Sequence, residues 1–318
     1  MAKRKTRSQN FSKPIRWFWM AFLAAVSTVA LIFILASFGA FGAMPDHTAL
    51  ENPRTNLATE IISADGETLG KFYYEDNRTP VAFNELPKHL VDALIATEDV
   101  RYFDHAGIDV RGTIRAFAFL GKRGGASTIS QQLARQLFVG VRTKNKLEAV
   151  IQKIKEWVIA TRLERQYTKE EIIAQYFNIY DFGNNADGIR SASRIYFGKE
   201  PIELSCNESA MLVGMFKNSS LYNPRPKRNP IGTRNRRNVV LSQMAKYGFL
   251  EETRKDSLQK LPLGLNYSPE SHREGIATYF RSYLRGFMKE WVNAPENRKP
   301  NGDKYNIYKD GLKIHTTI

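Results

Sequence analysis

The chain has 318 residues, with 47 Lys and Arg against 32 Asp and Glu, a formal charge of +15. Apolar residues make up 42% and charged residues 25%, a globular balance that excludes wholesale disorder. Cys206 is the single cysteine, which excludes an internal disulfide framework and any multi-cysteine metal site. His47, His89, His105, His272 and His315 are scattered without a His-x-x-x-His pair, which argues against a histidine-rich metal site.

Residues 1–16 carry Lys3, Arg4, Lys5, Arg7, Lys13 and Arg16 and no acid, +6 of the total, leaving +9 for the rest. From Trp17 to Pro45 there is no charged residue. As a helix, that run would reach roughly 43 Å, against about 30 Å for a hydrocarbon core. A secretory signal has a shorter apolar stretch, so we expect an uncleaved transmembrane helix over 17–43, with Trp17 and Trp19 at an aromatic belt. Small residues in Phe41-Gly42-Ala43-Met44 leave cleavage there as the alternative. Basic residues before the span keep 1–16 in the cytoplasm and place the rest outside the membrane. An exported domain meets no chromosomal DNA, so nucleic acid is excluded as a partner. The +9 must face anionic lipid or an anionic substrate.

Residues 44–58 read as a polar stalk. Thr59–Ala64 and Thr68–Tyr74 alternate around Asp65-Gly66 and predict a hairpin. From Pro87 to about residue 260 the pattern is helical. Pro87 opens a helix ending near Glu98-Asp99, Val110–Leu120 is a second, and Arg123-Gly124-Gly125-Ala126 is a loop. Thr128 with Gln131, Thr168 with Glu171, and Ser205 with Glu208 have capping-box spacing and open three more helices. A long helix over 146–165 has Leu147, Val150, Ile151, Ile154 and Val158 as its expected core stripe. Arg234–Tyr247 is a basic helix closed by Gly248. Residues 305–308 and 312–317 read as two strands about Asp310-Gly311.

Three stretches could carry chemistry. Glu98-Asp99 stands at a helix end before Arg101, an aromatic pair, His105 and Gly107, where reactive groups are exposed. Gly125-x-Ser127-Thr128 feeds a helix N-terminus that offers N–H and hydroxyl donors to an anion, and Gln131-Gln132 offers amides suited to sugars. Lys153 and Glu156 share a helix face between Ala149 and Ala160 and are expected to line a pocket wall facing Glu98; a solvated ion pair is the bland reading.

These stretches occur in a fixed order. Glu98-Asp99-x-x-x-Phe103-x-His105-x-Gly107 precedes Gly125-x-Ser127-Thr128-Ile129-x-Gln131-Gln132 and Lys153-x-x-Glu156. Asn178 to Phe182-Gly183, Gly188-Ile189, Ala192 and Tyr196-Phe197-Gly198-Lys199 follow, then Glu208-x-Ala210-x-Leu212 and Tyr222-Asn223-Pro224. Together they resemble the signature blocks of the peptidoglycan glycosyltransferase domain, glycosyltransferase family 51, of class A penicillin-binding proteins.

That resemblance implies a mainly α, lysozyme-like domain over 59–250 with a small β-hairpin element. The activity implied is polymerisation of lipid II into β-1,4 glycan with release of undecaprenyl pyrophosphate. Glu98 and Glu156 would be catalytic. Asp99, Arg101, Ser127, Thr128, Gln131, Gln132, Arg135, Lys153 and Lys155 would bind substrate. A divalent cation, Mg²⁺ or Mn²⁺, would be a cofactor, with Asp99 as a candidate ligand. Lipid II, lipid-linked glycan, the bacterial membrane and cell-wall synthesis proteins would be partners. The chain departs from the pattern where many members carry arginines eight and four residues before the second glutamate. Here Glu148 and Gln152 stand there, with Arg142, Lys144 and Lys146 as candidate replacements. Residues 251–318 read as a linker toward a transpeptidase domain beyond this chain, and Ser257-x-x-Lys260 lacks the context of a penicillin-reactive serine. The alternatives are a lysozyme-like glycan hydrolase, which needs a protonated Glu but no cation cluster, and a non-catalytic membrane scaffold.

Overall fold

The computed structural model describes residues 12–46, 49–50, 57–73, 78–119, 125–225, 228–268, 277–300 and 302–318. Much of the basic tail, the middle of the stalk, Tyr74, and Leu120 to Gly124 of the expected second helix and loop lie outside these residues. Helix α1 spans Ser12–Ser37 and is long and apolar enough to cross a membrane. It starts and stops several residues earlier than the expected 17–43. Lys13 and Arg16 sit within its first turns, and beyond Ser37 the chain turns through Gly39 and Gly42, both at positive φ, which breaks the helix.

Strands β1 (Thr59–Ile62) and β2 (Thr68–Phe72) form the expected antiparallel hairpin. The final strand, β3 (Lys313–His315), does not pair with 305–308 as expected. It joins β1 in parallel, with Ile61 opposite Ile314, in the order β2-β1-β3. Residues 305–308 form no strand because local polar groups compete for their backbone. The Asn306 N–H donates to the Asp310 carboxylate, and the Tyr308 N–H donates to the Asn306 side chain. Helix α11 (Thr278–Trp291) covers this sheet, with Leu284 and Met288 packed on Ile61, Leu69 and Phe72 in a small core of their own.

The larger core is all helical. Helices α2 (Lys88–Glu98), α3 (Val110–Ala118), α4 (Ile129–Ala134), α5 (Lys146–Gln166) and α6 (Lys169–Ile179) come first. Helices α7 (Gly188–Phe197), α8 (Cys206–Met215), α9 (Pro230–Lys246) and α10 (Glu252–Lys260) follow. Leu90 and Leu94 of α2, Tyr176 and Phe177 of α6, and Leu212 of α8 are fully buried together. The mainly α class expected from the sequence is therefore present. Capping boxes close the starts of α6 at Thr168 and Glu171 and of α8 at Ser205 and Glu208. At Thr128 only half of the box forms. Gln131 sends its side-chain amide to the Gly107 carbonyl at 3.0 Å instead of back to the cap.

Of the core stripe expected on α5, only Val158 is buried. Leu147 is 77% and Val150 58% exposed. The buried residues of α5 are Glu156, Val158, Ile159, Ala160 and Leu163. Apolar residues surround this helix, so periodicity alone picks no face; the inward face is the one that carries Glu156. Its middle meets α1, where Phe33 stacks on Trp157 and Arg162 donates to the carbonyls of Ser37 and Pro45.

Candidate functional site

Glu98 is the last residue of α2, and its half-buried side chain opens into a cavity of about 490 Å³. Asp99, Arg101, Ser127, Thr128 and Gln132 line the same cavity, so the first two expected segments do meet. The meeting is enforced by Gly107. Its φ is +86°, and a Cβ there would lie 3.0 Å from the backbone of Ala160. Its carbonyl accepts from Thr128 Oγ1 at 2.7 Å and from Gln131 Nε2. Ala160 thus provides room for the Gly107 backbone, not for a ligand as the alanine-framed face suggested; it is fully buried.

The carboxylates have distinct surroundings. Gln132 Nε2 donates to Glu98 Oε2 at 3.1 Å, and Gln132 in turn accepts from the Tyr176 hydroxyl at 2.9 Å. The Tyr176 phenol is pushed well above its ordinary range by burial, and the Glu98 charge adds to this. Tyr180 is pushed up to about 12, again chiefly by burial. Asp99 is buried, faces His105 Nε2 at 3.1 and 3.2 Å, and accepts the Ile129 N–H at 3.1 Å. It therefore fastens the start of α4 to the loop after Glu98. Arg101 is tied to Asp109 by a bidentate contact, and that hydrogen bond raises its pKa.

Lys153 and Glu156 do not line this cavity; they stand behind its wall. Lys153 Nζ donates to Ser127 Oγ at 3.0 Å, Gln131 Oε1 at 2.9 Å and Glu156 Oε2 at 2.9 Å. The Glu156 side chain is only 3% exposed. Burial lowers the Lys153 pKa; Glu156 opposes this, while the fields of Arg142 and Arg135 add to it. Arg135 opens the π-helical turn that follows α4. Lys155 lies on another side of α5, its Nζ close to Gly42 beyond α1, and so is not brought to the cavity. Glu148 and Gln152, which replace the expected arginines, pin the turn before α5. Thr143 Oγ1 donates to Glu148 and the Thr143 N–H to Gln152, whose amide donates to the Val141 carbonyl.

Sequence reasoning missed the opposite wall. Arg115 of α3, Lys217 after α8, and Arg236, Gln243 and Lys246 of α9 also line the cavity. The signal available was the basic character of α9. The later blocks serve the fold. The Asn178 side chain bridges the backbone of Val81, Gly188 packs with φ +80° against the Asn178 carbonyl, and Tyr196 donates to the Phe182 carbonyl. Ser257 Oγ donates to the Thr253 carbonyl within its own helix.

The donor set was tested for the expected divalent cation. Asp99 has both oxygens engaged by His105 and one also by the Ile129 N–H. Among the described residues no group of three or more His, Cys, Asp or Glu could hold a metal ion. Among the described residues, these donors do not form a protein-built cation site.

Residues 65–245 match the Transglycosylase family, and the chain belongs to that family. Its domain is of the kind carried by class A penicillin-binding proteins. The chain is 36% identical over 281 residues to penicillin-binding protein 1A of Escherichia coli, covering 86% of this chain and 30% of that protein. It is 33% identical to penicillin-binding protein 1F of Bacillus subtilis, covering 85% and 35%. A crystal structure of penicillin-binding protein 1A from Haemophilus influenzae aligns over 82% of this chain and 26% of its own, with a TM-score of 0.39 and 23% identity. The chain thus spans about a third of the length of the curated relatives it matches.

Proposed function

We propose that this chain is a peptidoglycan glycosyltransferase of cell-wall synthesis, extending a glycan carried on undecaprenyl pyrophosphate with lipid II as acceptor. Glu98 takes the proton from the acceptor 4-hydroxyl. The freed oxygen forms the new bond at the donor's anomeric carbon from the face opposite the leaving group. The old carbon–oxygen bond breaks, its electron pair departs with the pyrophosphate, and the configuration inverts. The leaving group is already a stable anion, so it needs positive charge in place of a proton.

Supporting this reading is one observation above all: a carboxylate held, among the described residues, by a neutral amide opens into a cavity whose walls carry Arg115, Lys217, Arg236 and Lys246. Lys153, with Arg135 and Arg142 close enough to act on it, supplies charge at the Ser127 wall. Glu156 holds Lys153 in place and acts through it. Helix α1 would anchor the chain as a single span with the basic tail, residues 1–16, on the cytoplasmic side and the domain outside, where lipid-linked substrate and other cell-wall enzymes meet it.

The test is to incubate the purified chain in detergent with labelled lipid II. Polymeric glycan is expected. Absence of polymer, from protein that is folded, would contradict the proposal.

A further inference from the structure

A second depression lies beside the catalytic cavity. Asn235, Asn238, Val239, Ser242, Gln243 and Gln259 line it, with a volume of about 480 Å³. Val239 and Gln243 line the cavity as well, so the two are continuous. Helix geometry makes the division. On α9, Arg236, Val239, Gln243 and Lys246 face the cavity, and Asn235, Asn238 and Ser242 form the next ridge round the helix. That ridge runs about 10 Å along the axis.

The two walls differ in chemistry. The cavity is charged, whereas every residue lining the groove is uncharged. This holds on a helix rich in arginine, because its arginines are turned to other work. Arg234 donates to the Lys260 carbonyl, Arg236 to Gly214, and the buried Arg237 to Gln259, Leu261 and Pro262. The floor is fixed before any ligand arrives. Gln259 Nε2 donates to the Asn238 carbonyl and to Ser242 Oγ, both at 2.9 Å, and Asn238 Oδ1 accepts from Arg237. Among the described residues, the side-chain amides of Asn235 and Gln243 take no part in this network.

The geometry points to a subsite for the neutral N-acetylated sugars of a β-1,4 glycan, leading away from the reacting centre. Amides that both donate and accept match ring hydroxyls and acetamido groups, and Val239 offers a small apolar contact for a sugar face. A pyrophosphate would stay with the cations on the far side of the shared Val239–Gln243 ridge. This assignment rests on the glycosyltransferase reading and adds to it the place where the chain of sugars lies.

The experiment uses the full chain in detergent micelles and two probes, a β-1,4 tetramer of N-acetylglucosamine and inorganic pyrophosphate. Affinities are read by ligand-observed NMR titration for the wild type, for Asn235→Leu combined with Ser242→Leu, and for Asn235→Gln. Asn235 and Ser242 are exposed, so the changes leave the core untouched. We expect the double variant to bind the tetramer at least fivefold more weakly while pyrophosphate affinity is unchanged. Asn235→Gln should stay within twofold of wild type. Wild-type tetramer affinity in the double variant, or no tetramer binding by the wild type, would overturn the subsite. Loss of pyrophosphate binding in the wild type would instead count against the cationic cavity, and the tetramer result would still decide the groove.

Discussion

Glu98 faces the cavity whereas Glu156 stands behind its wall, and their surroundings differ in kind. Glu98 ends α2 half-buried and, among the described residues, takes one neutral donor, from Gln132. Glu156 is sunk in α5 with the Lys153 ammonium 2.9 Å away. A carboxylate that must accept a proton needs an accessible oxygen and no cation bonded to it. A carboxylate that must hold a lysine in place needs the reverse. The two glutamates, equivalent as motif residues, thus differ in setting: Glu98 faces the cavity, and Glu156 holds the Lys153 that bonds Ser127 and Gln131. Asp99 falls on the structural side with Glu156, since its oxygens hold His105 and the start of α4.

The largest effect on stability should come from Lys153→Met. It leaves Glu156 without its cation in a buried position and should cost about 3 kcal/mol. Thermal denaturation should show Tm lower by roughly 6–12 °C; an unchanged Tm would break the division drawn above. Next comes Asp109→Asn on the Glu98 side. Burial pushes the Asp109 carboxyl up, but bonds from Arg101 and the Gly112 N–H outweigh this and hold it below the usual 3.8. A carboxyl with a depressed folded-state pKa stabilises the protein above the unfolded-state value and loses that contribution as pH falls through the folded-state one. Asp109→Asn should therefore cost about 1.5 kcal/mol at neutral pH and flatten the acid limb of a stability-against-pH curve below about pH 4. A limb as steep as the wild type's would refute this. The smallest effect is expected from Tyr176→Phe, which leaves Gln132 Oε1 without its donor and costs about 1 kcal/mol. Polymerisation should slow by less than tenfold, because Glu98 itself keeps its partner.

Much of this was legible beforehand. Helix starts at Lys88, Lys169 and Cys206 followed from Pro87 and from capping-box spacing, which are local rules. The meeting of Glu98 with Ser127, Thr128 and Gln132 was implied by the resemblance to the glycosyltransferase signature blocks. What was not legible depended on long-range packing. Leu147 and Val150 are exposed because the face of α5 that turns inward is chosen by Gly107 against Ala160, a contact across more than fifty residues. Lys217, Arg236 and Lys246 reach the cavity only because α9 packs on α8 and α2, and no spacing within α9 signals that. The parallel partner of β3 is likewise a strand from the far end of the chain.

In the proposed reaction Glu98 alone among these carboxylates takes the acceptor proton. Glu98→Gln keeps the shape and the Gln132 contact while removing the base, so polymerisation of labelled lipid II should be measured together with Tm. The rate should fall by about 10²–10⁴-fold, with Tm within about 2 °C of wild type. A variant that still polymerises at more than about a tenth of the wild-type rate, well above that general-base loss, would contradict it.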